Sequence, residues 1–154
     1  MTPAVETPPG ALAQRLGFLL KHAQLSLGSK IDPALAPLGL DGREFAVLSV
    51  LVDEGSRSQQ RLSQRMRVDR TTMVALVDEL ERTGLVERRR QAEDRRAYEI
   101  HVLARGRRIH TRALRAVEAA EEELLAPLPE AERSRLRELL LELVSVPDDT
   151  IRER

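Results

Sequence analysis

The chain has 154 residues, with 25 basic side chains balanced by 25 acidic ones, three histidines and no cysteine. That length suits one domain, or a small domain with an added oligomerisation element; the lack of cysteine excludes disulfide staples, thiolate metal sites and thiol-based oxidant sensing. No apolar run approaches the ~20 residues of a membrane span and no segment reads as a secretory signal, so the expectation is a cytoplasmic protein without membrane contact.

Residues 1–10 hold three prolines and no hydrophobic period, the composition of a disordered arm. Leu12, Leu16, Leu19, Leu20, Ala23 and Leu27 then recur at three and four, which predicts a helix with one apolar stripe. Pro33, Pro37 and Gly39 are expected to break the chain direction. Asp41 with Glu44 three residues on reads as a capping box. The helix behind it presents Phe45, Val47, Leu48, Val50 and Leu51 to a core, and Gly55 ends it.

Ser58 can cap a short helix from Gln59 to about Met66. A tight turn passes through Arg67 and Val68, and Asp69 caps a second helix from Arg70 to Thr83. Gly84 follows where a helix end wants a positive φ. Two helices joined across three or four residues, the first of them short, form a helix-turn-helix layout. Leu85 to Arg90 reads as a polar loop; beyond it Tyr98, Ile100 and Val102 alternate with Glu99, His101 and Leu103 as in a strand with one buried face. Two strands around residues 91–95 would make a hairpin, and a hairpin after a helix-turn-helix is a wing. Two further helical stripes follow, Ile109, Ala113, Val117, Ala120 and Leu124, then Leu136, Leu139, Leu140, Leu143 and Val144, separated by Pro127 and Pro129 and ended by Pro147.

Charge is unevenly spread. Arg57 to Arg108 holds 14 arginines against 8 acids, a net of +6, whereas Glu118 to Arg154 holds 11 acids against 5 arginines, a net of −6. A basic middle beside an acidic end fits one surface that meets polyanions, although solvated helix faces give the same pattern. Phe18, Phe45 and Tyr98 are the whole aromatic complement, too few to stack single-stranded bases, so a nucleic-acid partner would be a duplex.

In the helix from Arg70, the residues Met73, Leu76, Val77 and Leu80 face inward, leaving Arg70, Thr71, Thr72, Ala75 and Glu79 outside. The N-terminal residues of such a helix reach base edges in the major groove. Arg70 has the geometry to pair with guanine O6 and N7, and Thr71 and Thr72 suit phosphates or bases. Asp69, Thr71 and Thr72 are equally explained as caps, and the two roles are compatible. Ser58, Gln59 and Arg67 lie in the same motif and are taken with them as candidate DNA contacts. In the hairpin the candidates are Arg88 and Arg90, leading in, and Asp94, Arg95 and Arg96 at or just past the tip. A wing arginine suits a narrow minor groove; an edge kept soluble by charge is the alternative, and its place after a helix-turn-helix favours DNA. There is no paired His and carboxylate, no nucleophile elbow and no phosphate loop, so no catalysis and no cofactor are expected. His22, His101 and His110 lack metal-ligand spacing.

The blocks Val68-Asp69-Arg70-Thr71-Thr72, then Leu80-Glu81-Arg82-Thr83-Gly84-Leu85-Val86-Glu87-Arg88, then Asp94-Arg95-Arg96, in that order, resemble the MarR (multiple antibiotic resistance regulator) family of bacterial regulators. The resemblance runs from about Leu12 to Val144. It implies a mainly α fold with a small β-hairpin wing: a winged helix-turn-helix domain over 37–103, an N-terminal helix over 11–36 and C-terminal helices over 104–146 that build a homodimer, with the arm at 1–10 and a tail at 147–154. It further implies a double-stranded, pseudo-palindromic operator, with recognition helices about 34–36 Å apart, and repression as the usual mode. The family's Asp-x-Arg wing motif maps onto Asp94 and Arg96, making Arg96 the first choice for the minor groove. A small aromatic or phenolic effector is also implied, at Phe18, His22, Arg43 and Phe45, with Arg15 or Arg43 holding a carboxylate; read singly, Phe18 and Phe45 are more often core residues and a lone histidine is usually just hydrogen-bonded. The chain departs from the family at Ala75 and Glu79, where many relatives carry Arg, and at Ala104, where a Thr cap is usual. Two rivals remain: a constitutive architectural DNA-binding protein without an effector, and a winged helix used for protein docking, against which the five arginines Arg88, Arg89, Arg90, Arg95 and Arg96 argue.

Overall fold

The computed structural model describes residues 10–94 and 97–145; the tail expected at 147–154 and all but the last residue of the expected arm lie outside them. The chain divides into two units, residues 1–121 and 122–154.

In the first unit, helix α1 spans Leu16–Leu35, so Pro33 lies inside it and does not break it. A proline this near a helix end forfeits one backbone bond, and α1 continues for only two residues beyond it. The break comes after Leu35, in a 3-10 turn over Ala36–Leu38 closed by Gly39 at φ +71°. Helix α2, Gly42–Glu54, starts on the expected capping box: Asp41 Oδ1 accepts from the amides of Arg43 and Glu44, each at 2.8 Å, and Glu44 Oε2 accepts from the Asp41 amide at 2.9 Å. Helices α3, Gln59–Met66, and α4, Arg70–Arg82, are joined through Arg67, a non-glycine residue at φ +53°. That left-handed residue lets the chain reverse in one step between the two helices.

Strands β1, Val86–Arg90, and β2, Tyr98–Val102, pair antiparallel with Val86 opposite Val102 and Arg90 opposite Tyr98. The segment read as a polar loop at 85–90 is therefore largely a strand. Its side chains carry no alternation because only Val86, at its root, is buried; on β2 only Ile100 is, while Tyr98 near the tip is exposed. The Ile100 amide also donates to the Arg57 carbonyl at 2.8 Å, tying the segment before α3 to the hairpin.

The core is contributed by every part of this unit: Leu35 of α1, Val47, Leu48 and Leu51 of α2, Leu62 of α3, Met73, Val77 and Leu80 of α4, Val86 and Ile100 of the hairpin, and Ala113 and Val117 of helix α5, Ala104–Leu125. Contact between α5 and the wing root is very close. A Cβ on Gly106 would stand 2.1 Å from the Leu85 carbonyl oxygen, so only glycine fits there. One turn on, His110 is buried against α2, its ring stacked on Phe45 at 5.6 Å and its Nε2 2.9 Å from Ser49 Oγ. The Ser49 hydroxyl donates to the Phe45 carbonyl, so it accepts from His110 Nε2–H. Desolvation by burial lowers the pKa of His110, favouring the neutral ring.

In the second unit the end of α5 meets helix α6, Glu130–Ser145. Glu122 accepts from Arg137 and Arg133, each at 2.8 Å, and Arg133 Nε donates to the Leu128 carbonyl at 2.9 Å, which fixes this helical hairpin.

The hairpin of the first unit is fastened to the helix pair by Arg88. Its Nε donates to Gln59 Oε1 of α3 at 2.9 Å, Nη2 donates to Asp78 and Nη1 to Glu81, both on α4, and its own amide donates to Glu81 Oε1 at 2.9 Å. One guanidinium thus joins three elements.

Two outcomes are expected. Gly106→Ala gains helix propensity of ~1 kcal/mol but drives a methyl into a backbone carbonyl, an overpacking cost of about 1–3 kcal/mol or more; urea denaturation should show net destabilisation. Arg88→Ala should lower stability by about 1–2 kcal/mol, since it removes several charge-assisted bonds from a partly solvent-screened position; an unchanged denaturation midpoint would show that the crosslink does not hold the wing.

Candidate nucleic-acid interface

Helix α4 presents Arg70, Thr71, Val74, Ala75 and Asp78 to solvent, while Met73, Leu76, Val77 and Leu80 fix its other face in the core. Asp69 caps it: Oδ1 accepts from the Thr72 amide at 2.9 Å and Oδ2 from the Thr72 hydroxyl at 2.6 Å. These bonds, the hydroxyl's first, hold the Asp69 carboxyl below its usual range. The proton of Thr72 Oγ1 is thus already given to Asp69, which leaves the hydroxyl only an acceptor to offer. Arg70 and Thr71 are exposed at the start of the helix, and Arg70 has no ion-pair partner among the described residues. Glu79 pairs with Arg82 along the helix, and that bond lowers its pKa.

On α3, Ser58 Oγ accepts from the Arg61 amide at 3.3 Å, and Arg61 is exposed. The Gln59 side-chain oxygen is taken by Arg88, and Arg65 is paired with Glu54 at 2.8 Å. Arg67 is exposed in the turn. Between the start of α3 and the hairpin lies an open cleft of about 440 Å³, with Arg57, Ser58 and Arg61 on one side and Gln91, Glu93 and Glu99 on the other.

Along the hairpin, Arg89 pairs with Glu87 and Arg90 is exposed. Arg90 Nε donates to the Tyr98 hydroxyl at 3.3 Å, with its guanidinium 5.8 Å from the ring centroid. Tyr98, exposed near the tip, is a platform for a cation. The Asp94 carbonyl accepts from the Ala97 amide at 3.0 Å and closes the tip. Arg95 and Arg96 lie outside the described residues.

The structure therefore brings Ser58, Asp69, Arg70, Thr71, Thr72 and Ala75 onto the helix pair as expected from their spacing, and Arg90 and Asp94 onto the hairpin. Arg88 is tied to Gln59, Asp78 and Glu81, one N–H from each side-chain nitrogen, so it fastens the hairpin to α3 and α4; two of its five N–H groups lie beyond those three bonds. The signal is present in Asp78 and Glu81, two acids three residues apart on α4, but nothing local ties them to Arg88. The candidate ligand residues fall into two places. Phe18 and His22 meet each other on α1, ring centroids 4.0 Å apart, while Phe45 stacks on His110, and Arg43 is exposed in the first turn of α2. Sequence reasoning passes over His110 as a neighbour of this pair, though it sits four residues from Gly106 and three from Ala113 on the buried face of α5.

Comparison with known proteins agrees with this geometry. A family model described as MarR family matches residues 38–97. The putative transcriptional regulatory protein for the hcr operon of Thauera aromatica is 30% identical over 142 residues, covering 92% of this chain and 86% of that protein. A MarR-family transcriptional regulator from Rhodococcus sp. RHA1 superposes with a TM-score of 0.81 at 30% identity, over 88% of this chain and 96% of that one. The transcriptional repressor CouR, solved bound to a 23-mer DNA duplex, gives a TM-score of 0.81 at 31% identity, over 88% of this chain and 96% of its own. CouR from Rhodococcus jostii RHA1 has also been solved bound to p-coumaroyl-CoA, with a TM-score of 0.77 at 30% identity, over 90% of this chain and 98% of that one. Its winged helix-turn-helix and its identity to these regulators over nearly its whole length show that the chain belongs to the MarR family of transcriptional regulators.

Proposed function

We propose that the chain is a homodimeric repressor that binds a pseudo-palindromic operator, with α4 in the major groove and the hairpin in the minor groove, and that a small aromatic or phenolic ligand releases it. The observation that carries the DNA reading is the exposed start of α4. Arg70 and Thr71 stand at a helix N-terminus that favours phosphate, with Arg67 exposed in the turn before it, and Arg70 has no protein carboxylate to neutralise it among the described residues. CouR, of similar sequence and fold, is a repressor captured on a duplex. Arg96 is assigned to the minor groove on the Asp-x-Arg resemblance.

Dimerisation is supported by apolar surface that the single chain leaves uncovered. Leu16 on α1 is 60% exposed, and Leu143 and Val144 on α6 are 57% and 70% exposed. Apolar side chains concentrated on two helices are what a partner copy buries. The effector is supported by the p-coumaroyl-CoA bound to CouR, an aromatic acyl thioester, and by two aromatic–histidine pairs here, Phe18 with His22 and Phe45 with His110. A ligand of this kind acts by preferring a dimer geometry whose recognition helices no longer match successive groove turns.

The test is fluorescence anisotropy on the duplex flanking the protein's own gene, with a scrambled competitor, a salt titration and a panel of aromatic acids and their thioesters. Tight binding at two protomers per duplex, surviving competitor and released by one of the panel, is the expected result. Arg70→Ala should weaken binding while leaving stability within about 0.5 kcal/mol, and Arg96→Ala should reduce the salt slope by about one. Equal binding to both duplexes would replace the repressor reading with that of an architectural protein.

A further inference from the structure

The second turn of α4 holds an apolar side chain that the core covers only in part. Val74 is 38% exposed on the face shared with Arg70, Thr71, Ala75 and Asp78, and the core is filled from the opposite face by Met73, Leu76, Val77 and Leu80. A β-branched residue at an exposed mid-helix position costs helix stability relative to Ala, Lys or Glu. Beside it Ala75 is also exposed, so the middle of this face is a small aliphatic patch between a cation at Arg70 and a carboxylate at Asp78. Arg88 holds that carboxylate, which offsets its repulsion of a phosphate backbone.

The major-groove edges of the bases offer one apolar group, the 5-methyl of thymine. We infer that Val74, with Ala75 beside it, reads a thymine methyl in each half-site, one helical turn beyond the base that Arg70 contacts. This rests on α4 being the element in the major groove. It assigns the operator a thymine at a position read by shape and burial, with no hydrogen bond to satisfy. Sites with cytosine there are discriminated against because the methyl is absent and a cytosine amino group faces an aliphatic surface that cannot accept its hydrogen bond.

The experiment starts by selecting bound duplexes from a random pool with the full-length protein. Each thymine of the selected site is then replaced by uracil, which removes only the 5-methyl group. Uracil at the thymine that Val74 reads, in a single half-site, should weaken binding about fourfold, the worth of one buried methyl, and in both half-sites roughly fifteenfold; Val74→Ala should abolish that penalty while leaving the others unchanged. Thermal unfolding of Val74→Ala, expected to match the parent, separates this from a folding defect. A uracil penalty equal in parent and variant, or no thymine sensitive to its methyl, would overturn the inference while leaving α4 as the DNA-binding element. Selection of no sequence at all would overturn the operator reading itself, and this inference with it.

Discussion

A single guanidinium sets the relation between the helix pair α3–α4 and the hairpin. Arg88 leaves β1, bonds Gln59 on α3 and spreads across Asp78 and Glu81 on α4. A planar fork with donors in fixed directions can meet three acceptors on two helices at once; a lysine ammonium, a compact charge on a flexible stem, lacks the reach and the angles. The hairpin has only two strands, and a pair of strands is marginal by itself. Its hold on the rest of the domain therefore comes from Val86 and Ile100 in the core, from the Arg57 carbonyl, and from Arg88. The same contact also pairs two carboxylates beside the exposed face of α4, so that among the described residues Arg70 stands there unpaired, next to the capping Asp69 carboxylate.

Local chemistry makes much of the fold legible. The capping box at Asp41, the caps at Ser58 and Asp69 and the glycine at 84 each act over three or four residues, so the sequence order shows them directly, and the structure has all four. Features that depend on a distant partner are not legible. β1 reads as a loop because its residues are mostly charged and only its root is buried; its strand character comes from pairing with β2. Pro33 reads as a break because a proline's effect depends on how many turns follow it, and here almost none do. Gly106 gives no local sign of its role, since the obstacle is a carbonyl some twenty residues earlier in the chain.

The leucine stripes show the same division. Periodicity marks Leu16, Leu19, Leu20, Leu136, Leu139 and Leu143 as one kind of residue with Val47 and Leu48, yet the first group is exposed and the second buried. Period reports that a face is apolar and not what covers it. The aromatic candidates behave likewise. The resemblance points Phe45 toward a pocket and its place on the helix toward a core, and the structure gives it a definite neighbour in His110, a ring whose burial favours the uncharged form.

Gly106 has a mechanical consequence. It is the third residue of a helix of 22 residues, and at 1.5 Å per residue α5 is a stiff rod about 33 Å long that rests on the Leu85 carbonyl close to one end. Gly106 is not its sole support: one turn on, His110 lies against Phe45 and Ser49 of α2, and Ala113 and Val117 sit in the core. A rod seated at several successive points along one face cannot pivot on any one of them. The first turns of α5 therefore act as a splint that stiffens the wing root.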